Sequence, residues 1–127
     1  CEINVNGVLR DKASKILRAT IDLKRGAVGA VGNEKEDVLL MDEGVRNQTI
    51  PLILCTEEDV VGNHGATIGR LDESLMFYLE SRGLDREEIY EMMAKARIDA
   101  TVRMIPDEKT KEDINEFLGG GLENDED

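Results

Sequence analysis

The spacing of apolar residues changes near residue 70, and no single kind of regular element accommodates both patterns. Before that point apolar residues come in short clusters: Ile16-Leu17, Val38-Leu39-Leu40-Met41, Ile50 to Cys55 and Val60-Val61. Gly, Asn, Asp and Glu separate them, with turn residues at Gly26, Gly29, Gly32-Asn33 and Gly62-Asn63. Such clusters are too short for helices and read as strands. Ile3, Val5 and Val8 add another strand near the start. Residues 2–70 therefore read as a series of short strands.

From Leu71 the period becomes helical. Leu71, Leu75 and Leu79 fall on one face at steps of four, with Asp72 and Glu73 in the favourable first turn. Gly83 supplies a stop. Asp85 opens a second helix, and Glu88 completes a capping-box spacing. Its apolar stripe is Ile89, Met93, Ala96 and Ala100, ending before Pro106. A third helix is expected over 107–118, stopped by Gly119-Gly120-Gly121. The division that follows is a strand-built portion over 1–70, a helical domain over 71–118 and a disordered acidic tail over 119–127.

The spacing of the clusters bears on architecture. Val5, Val28 and Leu52 recur about every 23 or 24 residues, as do Leu17 and Leu40, which suits stacked coils of short strands. An antiparallel sandwich is the rival, with turns expected about every 8–12 residues. The open edges of stacked coils need cover, from the helices after Leu71 or from a second chain.

Composition excludes several classes. Asp and Glu number 28 against 16 Lys and Arg, for a net charge of -12. That charge repels phosphate backbones and anionic lipid, so neither nucleic acid nor a membrane surface is expected as partner. No apolar run approaches the ~20 residues of a bilayer span, and no signal peptide is visible. The chain opens at Cys1 rather than Met, which suits a fragment, and a leader removed before Cys1 leaves no trace. Aromatics make up 3% and Trp is absent, so the core must come from aliphatic residues and Met. Cys1 and Cys55 form no CxxC or CxxH spacing, which argues against structural zinc and favours a reducing cytoplasm.

His64 is the sole histidine, in the stretch Val60 to Thr67. Neutral imidazole can ligate a metal or carry a proton, and the flanking glycines permit close approach. A hydrogen-bonding histidine at a sheet end is the competing role. Cys55, following Ile50 to Leu54, reads as a buried small hydrophobe, and the acids after it oppose thiolate chemistry. Glu57, Glu58 and Asp59 lack EF-hand spacing and read as a solvated turn. Gly26 to Gly32 fits neither GxGxxG nor GxxxxGK[ST] and reads as bends or close packing. Met76, Met92 and Met93 fall at helical apolar positions and read as core or interface filler. No nucleophile-base pair is identifiable, no six-residue acyltransferase repeat appears and nothing marks a lyase groove. Intrinsic enzyme activity is not expected.

One continuous segment carries a specific resemblance. Asn63-His64-Gly65-Ala66-Thr67-Ile68-Gly69-Arg70-Leu71-Asp72-Glu73, Leu75 to Leu79, and Ser81-Arg82-Gly83-Leu84 followed by Asp85 to Glu88 resemble the C-terminal signature of the SufB/SufD family. These are scaffold components of Suf iron–sulfur cluster assembly. Their pattern is a turn of His, Gly, Ala and Thr, an acidic pair, a Phe-Tyr helix, and Ser-Arg-Gly before an acidic helix. Asn63 and Gly65 stand where the SufB branch has glutamates, so the chain is more similar to SufD.

The resemblance implies a parallel β-helix followed by a small helical cap. It also implies pairing through the β-helix, as a homodimer or as a heterodimer with another family chain, and docking of the helices on a SufC-type ABC ATPase. It implicates His64 in holding a transient iron–sulfur cluster at the pair interface. The sulfur-accepting cysteine of the SufB branch falls near Glu36-Asp37, where there is no thiol. Family members are longer, so the chain is a short form or an excised portion. The expected function is a non-catalytic cytoplasmic component of cluster assembly, the alternative being an interaction module that touches no metal.

Overall fold

The computed structural model describes residues 1–120, so most of the expected acidic tail, 121–127, lies outside the described residues. Five strands come first: β1 (Glu2–Leu9), β2 (Ser14–Leu23), β3 (Val31–Leu40), β4 (Arg46–Cys55) and β5 (Val61–Arg70). Three helices follow: α1 (Glu73–Glu80), α2 (Arg86–Val102) and α3 (Glu108–Gly120). The fold is mainly β with C-terminal helices, as the change of period predicts.

The chain alternates between two open sheets. β1, β3 and β5 form one in that order, and β2 and β4 form the other. Every pairing is parallel, which excludes the antiparallel sandwich. The expected repeat of 23 or 24 residues is corrected by the register. Glu2 pairs with Asn33, Ser14 with Arg46 and Val31 with Val61. Contacts between equivalent positions accordingly span 30, 31 or 32 residues. Each repeat carries one strand in each sheet and two turns, which is more chain than the clusters suggested. The apparent shorter period mixed unlike positions, because Val28 is exposed in a connection and Leu52 is exposed on β4.

The strands are longer than their apolar clusters. β3 contains Glu34, Lys35, Glu36 and Asp37, and β5 contains Gly62, Asn63, His64 and Gly65. Gly32-Asn33 and Gly62-Asn63 are therefore strand residues, not turns. Their glycines serve close packing between the sheets. A Cβ on Gly32 would lie 2.6 Å from Ile21 Cγ2, and one on Gly62 would lie 2.9 Å from Ile53 Cγ2. Gly26 and Gly29, by contrast, take positive φ in the connection, as turn glycines.

Successive connections also stack. Asp11 N donates to Asp42 Oδ2 at 2.5 Å. Further along the chain, Gly26 N donates to Glu57 Oε2 at 2.8 Å and Gly29 N to Asp59 O at 2.7 Å. The interior holds Leu9, Val38 and Val45, with Leu40 against them. Burying side chains of this size stabilises by about 1.5–3 kcal/mol each.

Helix ends follow the predicted signals. Asp72 caps α1 by accepting from Ser74 N and Leu75 N. Gly83 lies at φ 95°, a left-handed conformation suited to a stop. Asp85 and Glu88 complete the capping box of α2. The stripes are displaced from expectation. On α1 Met76 is buried and Leu75 exposed, and on α2 Ile89 is joined by Ala94 and Val102 while Ala96 and Ala100 face water. Periodicity fixes that a face is buried, but the position of the neighbouring elements selects which one. Met92 is exposed rather than core.

Tyr90 and Ala94 of α2 pack with Val8, Leu39 and Met41, on the opposite side of the three-stranded sheet from Glu34 and Glu36. α3 runs through Gly119 and Gly120, past its expected end, and exposes Phe117. No helix among the described residues is long and apolar enough to cross a membrane.

Candidate functional site

His64 sits in the middle of β5, not in the expected turn. Its neighbours supply the ladder: β5 pairs with β3 on one side and is the edge of its sheet among the described residues. Alternation then sorts the side chains. On the outer face Asn63 Nδ2 donates to Asn33 Oδ1 at 2.9 Å. On the inner face His64 is in register with Glu34, and its Nδ1 stands 3.9 Å from Glu34 Oε1. The imidazole is 29% exposed, while the Glu34 side chain is wholly buried. Both Glu34 carboxylate oxygens lack a hydrogen-bond partner among the described residues.

Glu36 follows on the same inward face of β3, and its surroundings are different. Lys15 of β2 donates to it, as does the hydroxyl of Thr49 on β4. Lys15 Nζ also reaches Asn47 Oδ1 at 3.2 Å. Burial pushes the Glu36 carboxyl up, but the hydrogen bonds from Lys15, Thr49 and Asn47 and the Lys15 charge outweigh it. The group is held below its ordinary value of 4.5. The interior thus carries a polar track of Glu34, Glu36, Lys15, Asn47 and Thr49, with His64 at its open edge.

The remaining candidates are not brought to this track by any contact. Cys55 is exposed rather than buried, because it ends β4, and its thiol donates to Glu57 O at 3.0 Å. Glu57 is more than a solvated residue. It accepts from Gly26 N and Glu58 N, and these bonds hold its carboxyl below the usual carboxylate range. Cys1 is exposed and free. Among the described residues no three His, Cys, Asp or Glu side chains are grouped to hold a metal ion. His64 Nδ1 and Glu34 Oε1 are two donor atoms that face one another at the sheet edge.

Glu34, Glu36 and Lys15 escaped the sequence analysis. A signal existed, since the run Gly32 to Val38 read with strand alternation places Glu34 and Glu36 on the face of Val38. A cavity of about 750 Å³ lies between α2, α3 and the end of β1, lined among others by Val8, Ala94, Ile98, Val102 and Leu118.

Residues 1–97 match the family model described as SUF system FeS cluster assembly, SufBD core domain. The chain belongs to the SufB/SufD family. It is 31% identical over 109 residues to the iron-sulfur cluster assembly protein SufD of Bacillus subtilis, covering 86% of this chain and 25% of that protein. It is 28% identical over 115 residues to SufD of Escherichia coli, covering 91% of this chain and 27% of the relative. Bacillus subtilis SufB is 32% identical over 89 residues, 70% of this chain and 19% of the relative. The SufD matches extend further along this SufB/SufD-family chain than the SufB match, in keeping with the predicted nearness to SufD. The chain spans about a quarter of the length of these SufD relatives.

Proposed function

We propose that this SufB/SufD-family chain is a non-catalytic cytoplasmic component of iron–sulfur cluster assembly that helps hold a nascent cluster through His64. The observation that carries the reading is the placement of the sole imidazole on an edge strand, part-exposed and facing a buried acid. An edge strand offers unpaired backbone groups to a second chain, and that chain can complete the ligand set around iron.

The two parallel sheets, with their register of 30–32 residues, are on this reading part of a parallel β-helix that pairs with a second family chain. The helices form a separate cap over 71–118 that docks an ABC-type ATPase. The apolar cleft between α2 and α3 supports that assignment. Nucleic acid and membrane lipid are not partners, in line with the net charge of -12.

Anaerobic reconstitution with iron and sulfide, with the partner chain present, tests the ligand role. Cluster absorbance is expected to fall sharply in His64→Ala. Absorbance equal to the parent's removes His64 from the cluster.

A second reading is an interaction module that holds no cluster. The absence of a three-ligand group among the described residues favours it. It predicts ATPase co-purification that depends on residues 72–118 and reconstitution that is indifferent to His64.

A further inference from the structure

Glu34 and Glu36 occupy equivalent inward positions on one strand, and only one of them is neutralised. Each is almost completely buried, at 1% and 2% exposed. Removing a carboxylate from water costs several kcal/mol unless an opposite charge and hydrogen bonds compensate. The fold supplies both to Glu36, through Lys15, Thr49 and Asn47. At Glu34 it supplies neither. Among the described residues both oxygens are without a hydrogen bond, and the nearest basic group is His64 Nδ1 at 3.9 Å.

That separation is too long for a hydrogen bond. Two ligand atoms each about 2.0–2.2 Å from one metal ion can be spaced this widely. The imidazole remains 29% exposed, so an ion there keeps coordination positions open to water or to another chain. A carboxylate oxygen with an imidazole nitrogen is a mixed donor set that suits divalent first-row metals over calcium or magnesium.

We propose that Glu34 and His64 together form an entry site for a divalent first-row metal ion, iron in the working protein, which binds before and without sulfide. The proposal rests on the reading of His64 as a contact to iron and adds to it a second residue and a separable step. The buried carboxylate supplies the negative charge that holds the cation, and the imidazole at the edge receives it from solvent.

Cobalt(II), added anaerobically without sulfide to the full chain, is the probe, followed by its visible absorbance and by thermal melting. Saturable binding of one equivalent and a rise in Tm are expected. Even residues behind the ligands change metal affinity about 10–100-fold, so Glu34→Gln is expected to weaken binding at least about tenfold. His64→Ala is expected to do the same. Glu34→Asp keeps the charge and should recover part of the affinity, and it serves in place of Glu34→Gln if that variant fails to fold. Cobalt binding and Tm rise unchanged in Glu34→Gln overturn the proposal, as does the absence of saturable binding by the parent chain.

Reconstitution with iron, sulfide and the partner chain separates the two claims. Cobalt bound through both residues alongside cluster formation indifferent to His64 supports the ion site and ends the cluster reading. A cluster that needs His64 but forms equally well in Glu34→Gln, with cobalt affinity unchanged, does the reverse.

Discussion

Lys15 on β2 donates to the carboxylate of Glu36 on β3, carrying an ion pair through the space between the two sheets. The Glu36 side chain is wholly buried and that of Lys15 is 20% exposed. Removing one partner of a buried pair typically costs about 3–5 kcal/mol, whereas replacing both with apolar groups is often neutral. Lys15→Met is expected to destabilise by about that amount in urea melts. Lys15→Met with Glu36→Leu should recover most of the loss, and a double variant as unstable as the single refutes the pairing.

The same pair sets an acid limit. Glu36 titrates below its ordinary 4.5 in the fold, so its contribution is present above that value and lost as pH falls through the folded one. Stability should therefore decline below about pH 4.5 in the parent chain. The double variant should lose less over the same window, measured as the shift in urea midpoint.

The sheets approach closely where glycine faces isoleucine. Gly32→Ala would set its Cβ 2.6 Å from Ile21 Cγ2. Overpacking of this kind costs about 1–3 kcal/mol, and Ile21→Val in the same chain should return part of it. Gly65→Ala on β5, where a Cβ meets nothing within 4 Å, is the control and should be close to neutral.

Tyr90 fastens α2 to the strands. Its hydroxyl donates to Asp42, and Arg10 lies over its ring at 4.4 Å while pairing with Glu91 at 2.6 Å. Burial and the Asp42 carboxylate push the phenol up to about 12. Raised above its ordinary 10.0, it contributes stability that is complete below pH 10 and lost as pH rises through about 12. Ultraviolet titration in a Tyr78→Phe background should show tyrosinate appearing only near that value. Tyr90→Phe, which leaves Asp42 without this donor, should cost about 1.5–3 kcal/mol in thermal melts.

The local grammar of this chain was legible because it depends on neighbours in sequence. Asp85 with Glu88 and Gly83 at positive φ act within a few residues and stand where the pattern placed them, while Asp72, expected in the first turn of α1, caps it instead. The change from strands to helices near residue 70 was legible for the same reason. The family signature around His64 was visible too, though the residue proved to be on a strand.

Only the tertiary structure decided the rest. A register of 30–32 residues arises because the chain passes through a strand in each sheet and two turns before returning to the first sheet, a distance no local pattern encodes. Whether a charged residue on a strand meets water or an interior depends on what the other sheet places opposite it. Lys15 stands opposite Glu36, and among the described residues Glu34 has the edge imidazole near it but no hydrogen-bond partner. Local spacing determined the order of strands and helices, and the resemblance around His64 pointed to the family. The three-dimensional meeting of two sheets determined which of the two buried acids is given a cationic partner, because electrostatic compensation inside a fold is a property of distance in space.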